Sequence, residues 1–196
     1  DTKVYLYLET EQLALKCGVL ANGQYTSSDR GISGASTIVL EYVLDTPSLN
    51  LRYGVSLISV EQAKRNLERE INNYDLKVLS EAGRRIWNEK LGKISVTGGS
   101  EQDKTVFYTS LYRTYERMIC ISEDGKYYSA FDGKVHNDYG IPFYTDDWIW
   151  DTYRAVHPLR VIIEPKMETD MISSFIRMAE QMEQFWMPTF PEITGD

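Results

Sequence analysis

Apolar positions recur every second residue from Val4 to about Val60 and every third or fourth residue beyond it. Val4, Leu6 and Leu8 alternate with polar or tyrosine positions, and Leu13, Leu15 and Cys17 repeat the pattern. Asn22-Gly23 is a hairpin turn signal, joining a strand near Leu13–Leu20 to one near Gln24. The Ser- and Gly-rich stretch Ser27–Ala35 reads as a loop. The β-branched run Thr37–Leu44 is closed by the turn Asp45-Thr46-Pro47. Leu49, Leu51, Tyr53, Val55 and Leu57 then predict a strand in an antiparallel sheet with one buried face.

At Ser59 the period changes to that of a helix. Ser59-Val60-Glu61-Gln62 fits a capping box, followed by Ala63, Leu67 and Ile71 on one face. Asn72-Asn73 breaks this helix, and Asp75 opens another with Leu79, Ala82, Ile86 and Trp87 inward. Lys93–Thr97 reads as a short strand ending at Gly98-Gly99, a boundary between structural regions. Ser100 caps a third helix carrying Phe107, Leu111, Tyr115 and Met118. Asp124-Gly125 and Asp132-Gly133 bracket a strand over Lys126–Phe131, and His136–Ile141 reads as an irregular polar loop. After Pro165, the positions Met171, Phe175, Met178, Met182 and Phe185 form an apolar stripe of core character. The expectation is an α+β chain, with an antiparallel sheet first and helices after it.

Chemistry concentrates in Phe143–Leu159, where two Trp, two Tyr, three Asp, an Arg and a His fall together. Thr145 is expected to cap a helix whose first turn carries Asp146 and Asp147, with Pro158 ending it. On such a helix Asp147, Asp151 and Arg154 share one face. They can pair among themselves, or they can line a pocket. Flat rings beside carboxylates and a guanidinium suit a sugar, which offers apolar ring faces and vicinal hydroxyls.

Composition narrows this further. The 196 residues carry a net charge of -8, which argues against a nucleic-acid backbone as partner. No apolar run approaches the roughly 20 residues of a membrane span. Signal-peptide features are absent and the first residue is Asp1, so a processed form or an excised piece is expected. Cys17 and Cys120 match no metal spacing, and neither His136 nor His157 sits in a zinc motif. The 14 Tyr and 4 Trp favour a binding surface, because such rings combine apolar area with a polar handle.

Several segments resemble glycoside hydrolase family 92, the calcium-dependent exo-α-mannosidases. They are Phe107–Tyr112, Asp124–Tyr127, Phe131–His136 and above all Trp150-Asp151-Thr152-Tyr153-Arg154-Ala155-Val156-His157-Pro158-Leu159, with Trp186–Pro191 as the next aromatic-proline segment. The resemblance implies an amino-terminal β-sandwich portion over 1–58, a helical linker over 59–99, and the start of an (α/α) toroid over 100–196. It implies hydrolysis of terminal α-linked mannose with inversion, a Glu as acid and an Asp as base, across a bound calcium ion. Those catalytic residues and most calcium ligands are expected beyond Asp196, so no catalytic and no metal residue is carried over.

Sugar recognition does carry over. By the resemblance Trp150 and Asp151 line the pocket for the terminal mannose, and Asp196 falls where the next pocket loop begins. Arg154 and His157 match the family segment too, as pocket residues or as helix anchors. Asp146-Asp147-Trp148 departs from the family's more Ser-rich pattern, which bears on substrate preference. The implied partners are mannose-containing glycans, and the implied location is secreted or periplasmic. Self-association through uncovered helical faces is expected of an incomplete toroid. The alternative is a non-catalytic carbohydrate-binding or scaffold protein of the same fold.

Overall fold

The computed structural model describes residues 2–27, 36–43, 48–183 and 185–193. The expected loop Ser27–Ala35 and the expected turn Asp45-Thr46-Pro47 lie almost wholly outside them, as does Asp196. Strand β1 (Tyr5–Thr10) pairs antiparallel with β5 (Leu51–Ser56), Tyr5 opposite Ser56. A second sheet places β2 (Lys16–Ala21) between β3 (Gln24–Ser27) and β4 (Ser36–Glu41). The β2–β3 turn is Asn22-Gly23, with φ of 50° and 75°, the left-handed pair a tight hairpin requires.

Helix α1 (Val60–Glu70) begins as its sequence predicts, the Ser59 hydroxyl accepting from the Gln62 amide at 3.1 Å. It lies across β1 and β5, but not on the expected face. Leu6, Leu8, Tyr53 and Val55 are 41–56% exposed, whereas Gly54 and Ser56, on the opposite parity, are buried under the helix. Close approach decides this. A Cβ at Gly54 would sit 2.3 Å from the Ala63 carbonyl oxygen and 2.9 Å from the Leu67 Cβ, so only a bare position admits the helix backbone. Gly54→Ala is therefore expected to destabilise the protein by about 1–3 kcal/mol through overpacking, read as a lower urea midpoint at unchanged slope.

Helix α2 (Leu76–Leu91) is capped by Asp75, and α3 (Glu101–Arg113) by a reciprocal Ser100–Asp103 box. The segment 93–97 is not a strand. Two of its backbone groups are taken by one side chain, the Tyr108 hydroxyl, which accepts from Val96 N at 3.3 Å and donates to Ile94 O at 3.1 Å. Trp87 of α2 lies against Tyr112 and Tyr115, with centroids 4.5 and 6.1 Å apart.

Beyond α3, β6 (Ile119–Cys120) pairs with β9 (Tyr144–Thr145), and β7 (Lys126–Ser129) with β8 (Lys134–Asn137). His136 thus lies in a strand, because the Asp132-Gly133 turn folds the chain back onto β7 instead of releasing it as a loop. The short helix α4 (Ile149–Thr152), α5 (Val156–Ile163) and α6 (Pro165–Gln181) complete the order. Met171, Phe175 and Met178 of α6 pack against Met118, Tyr127, Phe143 and Tyr144. The expected stripe ends sooner than its spacing suggests, for α6 stops at Gln181 and Phe185, at φ 57°, is 80% exposed. The two regions meet at Glu123, whose carboxylate accepts from Leu57 N at 3.0 Å and from Asn66 Nδ2 at 2.6 Å.

Candidate functional site

The aromatic-acidic stretch is built from a strand end, a one-turn helix and a second helix start. Thr145 is fully buried in β9 and donates its hydroxyl to the Pro191 carbonyl at 3.1 Å. That carbonyl also accepts the Asp146 and Asp147 amides at 2.7 and 3.3 Å. Asp146 is left-handed, at φ 62°, which no helix accommodates. The expected cap at Thr145 therefore does not form, and Asp146 and Asp147 precede the helix. Helix α4 begins at Ile149, whose amide bonds the Thr189 carbonyl at 3.2 Å. Pro158 does not end a helix. It is the third residue of α5, in the first turn, where the N–H that proline lacks would have had no intrahelical acceptor.

Asp147, Asp151 and Arg154 accordingly share no face. Asp147 is 0% exposed, and one oxygen accepts from His157 Nε2 at 3.0 Å and from the Thr152 hydroxyl at 3.1 Å. His157 Nδ1 faces Glu168 Oε1 at 2.8 Å, and that carboxylate is also buried. Only an imidazolium donates from both nitrogens. The hydrogen bonds to Asp147 and then Glu168 outweigh burial and push His157 up to about 9. Arg154, by contrast, is exposed and donates to the Tyr153 hydroxyl at 2.8 Å.

Trp150 is 70% exposed and Asp151 is exposed beside it. Among the described residues the Asp151 carboxylate has neither a hydrogen-bond nor an ion-pair partner. Next to them the Arg117 guanidinium stacks on Trp148 at 4.0 Å and reaches Asp146 at 3.3 Å. Such a surface offers flat rings, one free acceptor and one partly engaged cation, the set that grips a polyhydroxylated ring.

Beneath this surface Arg160 is 2% exposed. It donates to the carbonyls of Thr114 and, at 2.7 Å, Arg117, and lies over the Tyr115 ring at 5.1 Å. Sequence reasoning missed both Glu168 and Arg160. A signal existed for Glu168: it precedes Met171 by three residues, so it occupies the apolar stripe of α6, where a carboxylate needs a buried partner. No group of three or more His, Cys, Asp or Glu among the described residues is arranged to hold a metal ion.

Residues 62–196 match the family model of the glycosyl hydrolase family 92 catalytic domain. An uncharacterized secreted glycosidase of Arthroderma benhamiae is 34% identical over 70 residues, which is 34% of this chain and 9% of that protein. A family 92 inverting mannosidase from Bacteroides thetaiotaomicron superposes with a TM-score of 0.81 at 28% identity, over 97% of this chain and 26% of its own. A family 92 α-mannosidase of the same organism gives 0.83 at 20% identity, over 98% of this chain and 27% of its own. The chain thus spans about a quarter of the solved structures it resembles. Since the family model covers well over half of its residues, including the whole Trp150–Leu159 segment, the chain belongs to glycosyl hydrolase family 92.

Proposed function

We propose that this segment forms a wall of the sugar pocket in a glycosidase that releases terminal α-linked mannose from glycans. The observation that carries the reading is the exposed Trp150 beside the unpartnered Asp151 carboxylate, both borne on a turn whose base is buried. Asp151 accepts hydrogen bonds from vicinal sugar hydroxyls, and Trp150 presents an apolar ring face to the sugar carbons. By family position alone, Asp196 is a further candidate for sugar contact. Family membership and the mannosidases among the similar structures support the sugar class.

Inversion requires two carboxyls about 6.5–9.5 Å apart on opposite sides of the scissile bond. Asp147 is enclosed and engaged, while Asp151 stands in the open, so they make no such pair. In this reading the acid, the base and the calcium ligands come from other parts of the enzyme. Secretion fits the same reading, and no helix among the described residues is long and apolar enough to cross a membrane.

The test uses the full-length protein and an aryl α-mannoside. A carboxylate hydrogen bond contributes about 1.5–3 kcal/mol, so Asp151→Ala is expected to lower kcat/KM by roughly one to two orders of magnitude. Tm should hardly move, because the exposed carboxylate has no partner to lose. Activity within twofold of wild type would make the turn scaffold, and so would activity and Tm falling together.

A further inference from the structure

A four-residue helix does not hold its own shape, because nucleation fixes several residues for a single hydrogen bond. Helix α4 also lacks a side-chain cap at Trp148. Its orientation has to come from outside. On one side the Thr189 and Pro191 carbonyls hold the backbone of Asp146, Asp147 and Ile149. On the other, Thr152, which directly follows Asp151 and is 7% exposed, divides its hydroxyl between the Trp148 carbonyl and Asp147 Oδ2, both at 3.1 Å.

Asp147 Oδ2 is in turn fixed by His157 of α5, and His157 by Glu168 of α6. We propose that His157, clamped between Asp147 and Glu168, is a positioning residue for the Trp150–Asp151 turn, acting through the Asp147 carboxylate and the Thr152 hydroxyl. This rests on the reading of Trp150 and Asp151 as sugar contacts. His157 itself touches no sugar.

The groups around His157 support the assignment. The loop before α4 presents Asp147, α6 presents Glu168 and the Phe175 ring at 6.5 Å, and its own helix carries Arg160, which interacts with both carboxylates. Two carboxylates, one guanidinium and one imidazolium sum to no net charge. Loss of the imidazole proton leaves this buried set one charge negative and removes one of two donors. The raised proton affinity of His157 keeps the set neutral through the neutral range. Above it, the ring turns a lone pair towards one carboxylate, and the anchor of Thr152 loosens.

The experiment measures kcat/KM against pH for the full-length protein, its Thr152→Val, Thr152→Ser, His157→Gln and Asp151→Ala variants, and the imidazole titration by NMR. Thr152→Val keeps shape and removes the hydroxyl. It is expected to lower kcat/KM about tenfold, with Tm within a few degrees, and Thr152→Ser should restore most of the loss. Wild-type kcat/KM should fall as pH rises through about 9, and that alkaline limb should flatten in Thr152→Val and vanish in His157→Gln. If Asp151→Ala is impaired while Thr152→Val matches wild type and keeps the limb, positioning is overturned and the sugar contact stands. If Asp151→Ala is unimpaired, the sugar reading fails, and the positioning role falls with it. Should His157→Gln not fold, Thr152→Val and the wild-type titration decide; a ring that titrates below pH 7 overturns the clamp.

Discussion

Stability is expected to fall by roughly 3 kcal/mol as pH rises from about 6.5 to about 9, and His157 is the cause. Its ring ionises near 6.5 in the unfolded chain and at about 9 in the folded one, a difference set by the hydrogen bonds to Asp147 and Glu168. A group whose folded pKa is raised contributes its full stabilisation below the unfolded value. The contribution declines by about 1.4 kcal/mol per pH unit between the two values and is gone above the folded one. Urea midpoints at pH 6, 7.5 and 9 should follow that slope, and His157→Gln should flatten it. Above this window Tyr144 joins, since burial holds its hydroxyl at about 12 and it resists an ionisation that the unfolded chain accepts. A wild-type midpoint that stays level from pH 6 to 9 would remove the ionic clamp from the description.

Phe143→Ala is expected to cost about 3–5 kcal/mol, the range for deleting a buried aromatic ring. Phe143 is 1% exposed and stacks on Tyr127 with centroids 4.0 Å apart at 7°, while the Arg177 guanidinium lies 5.3 Å from both ring centres. Its amide donates to the Ser122 hydroxyl at 2.9 Å and its carbonyl accepts from the Ile121 amide at 2.9 Å, so the backbone is held against collapsing inward to fill the void. The loss should propagate. Phe143 precedes Tyr144-Thr145, the strand that delivers Asp147 to its network, so kcat/KM should fall together with Tm, unlike in Asp151→Ala. Leu13, 95% exposed, is the control: Leu13→Ala should stay within about 0.5 kcal/mol. An equal, small effect at both positions would mean that the ring is not part of the core.

The elements were legible where a local rule decides them. Ser59, Asp75 and Ser100 cap helices as their side chains dictate, because a cap is a contact between residues two or three apart. Asn22-Gly23 turns for the same kind of reason, and the change of period at Ser59 marks the passage from β5 to α1, although four short strands return after α3. The errors fall where a distant group overrides a local preference. Thr145 has the chemistry of a cap, but Pro191, 46 residues on, takes its hydroxyl. The Val96 amide and the Ile94 carbonyl are claimed by Tyr108, which leaves them no strand partner. Alternation along β1 and β5 marks two faces, yet the face that α1 covers is the one where Gly54 lets its backbone approach.

What the sequence by itself determined is therefore the local alphabet: the caps, the turn, the stripe from Met171 to Met178, and a family segment that singles out Trp150 and Asp151. Only the tertiary structure decided that Asp147 and Asp151, four residues apart, take opposite parts, one enclosed and bonded, the other exposed and free. It alone decided that His157 joins Asp147 to Glu168. Spacing along a chain settles contacts between residues a turn or two apart, because a helix or strand fixes their relative placement. The partners of a buried charge are set by which elements pack together, and burial makes that pairing obligatory once packing has chosen it.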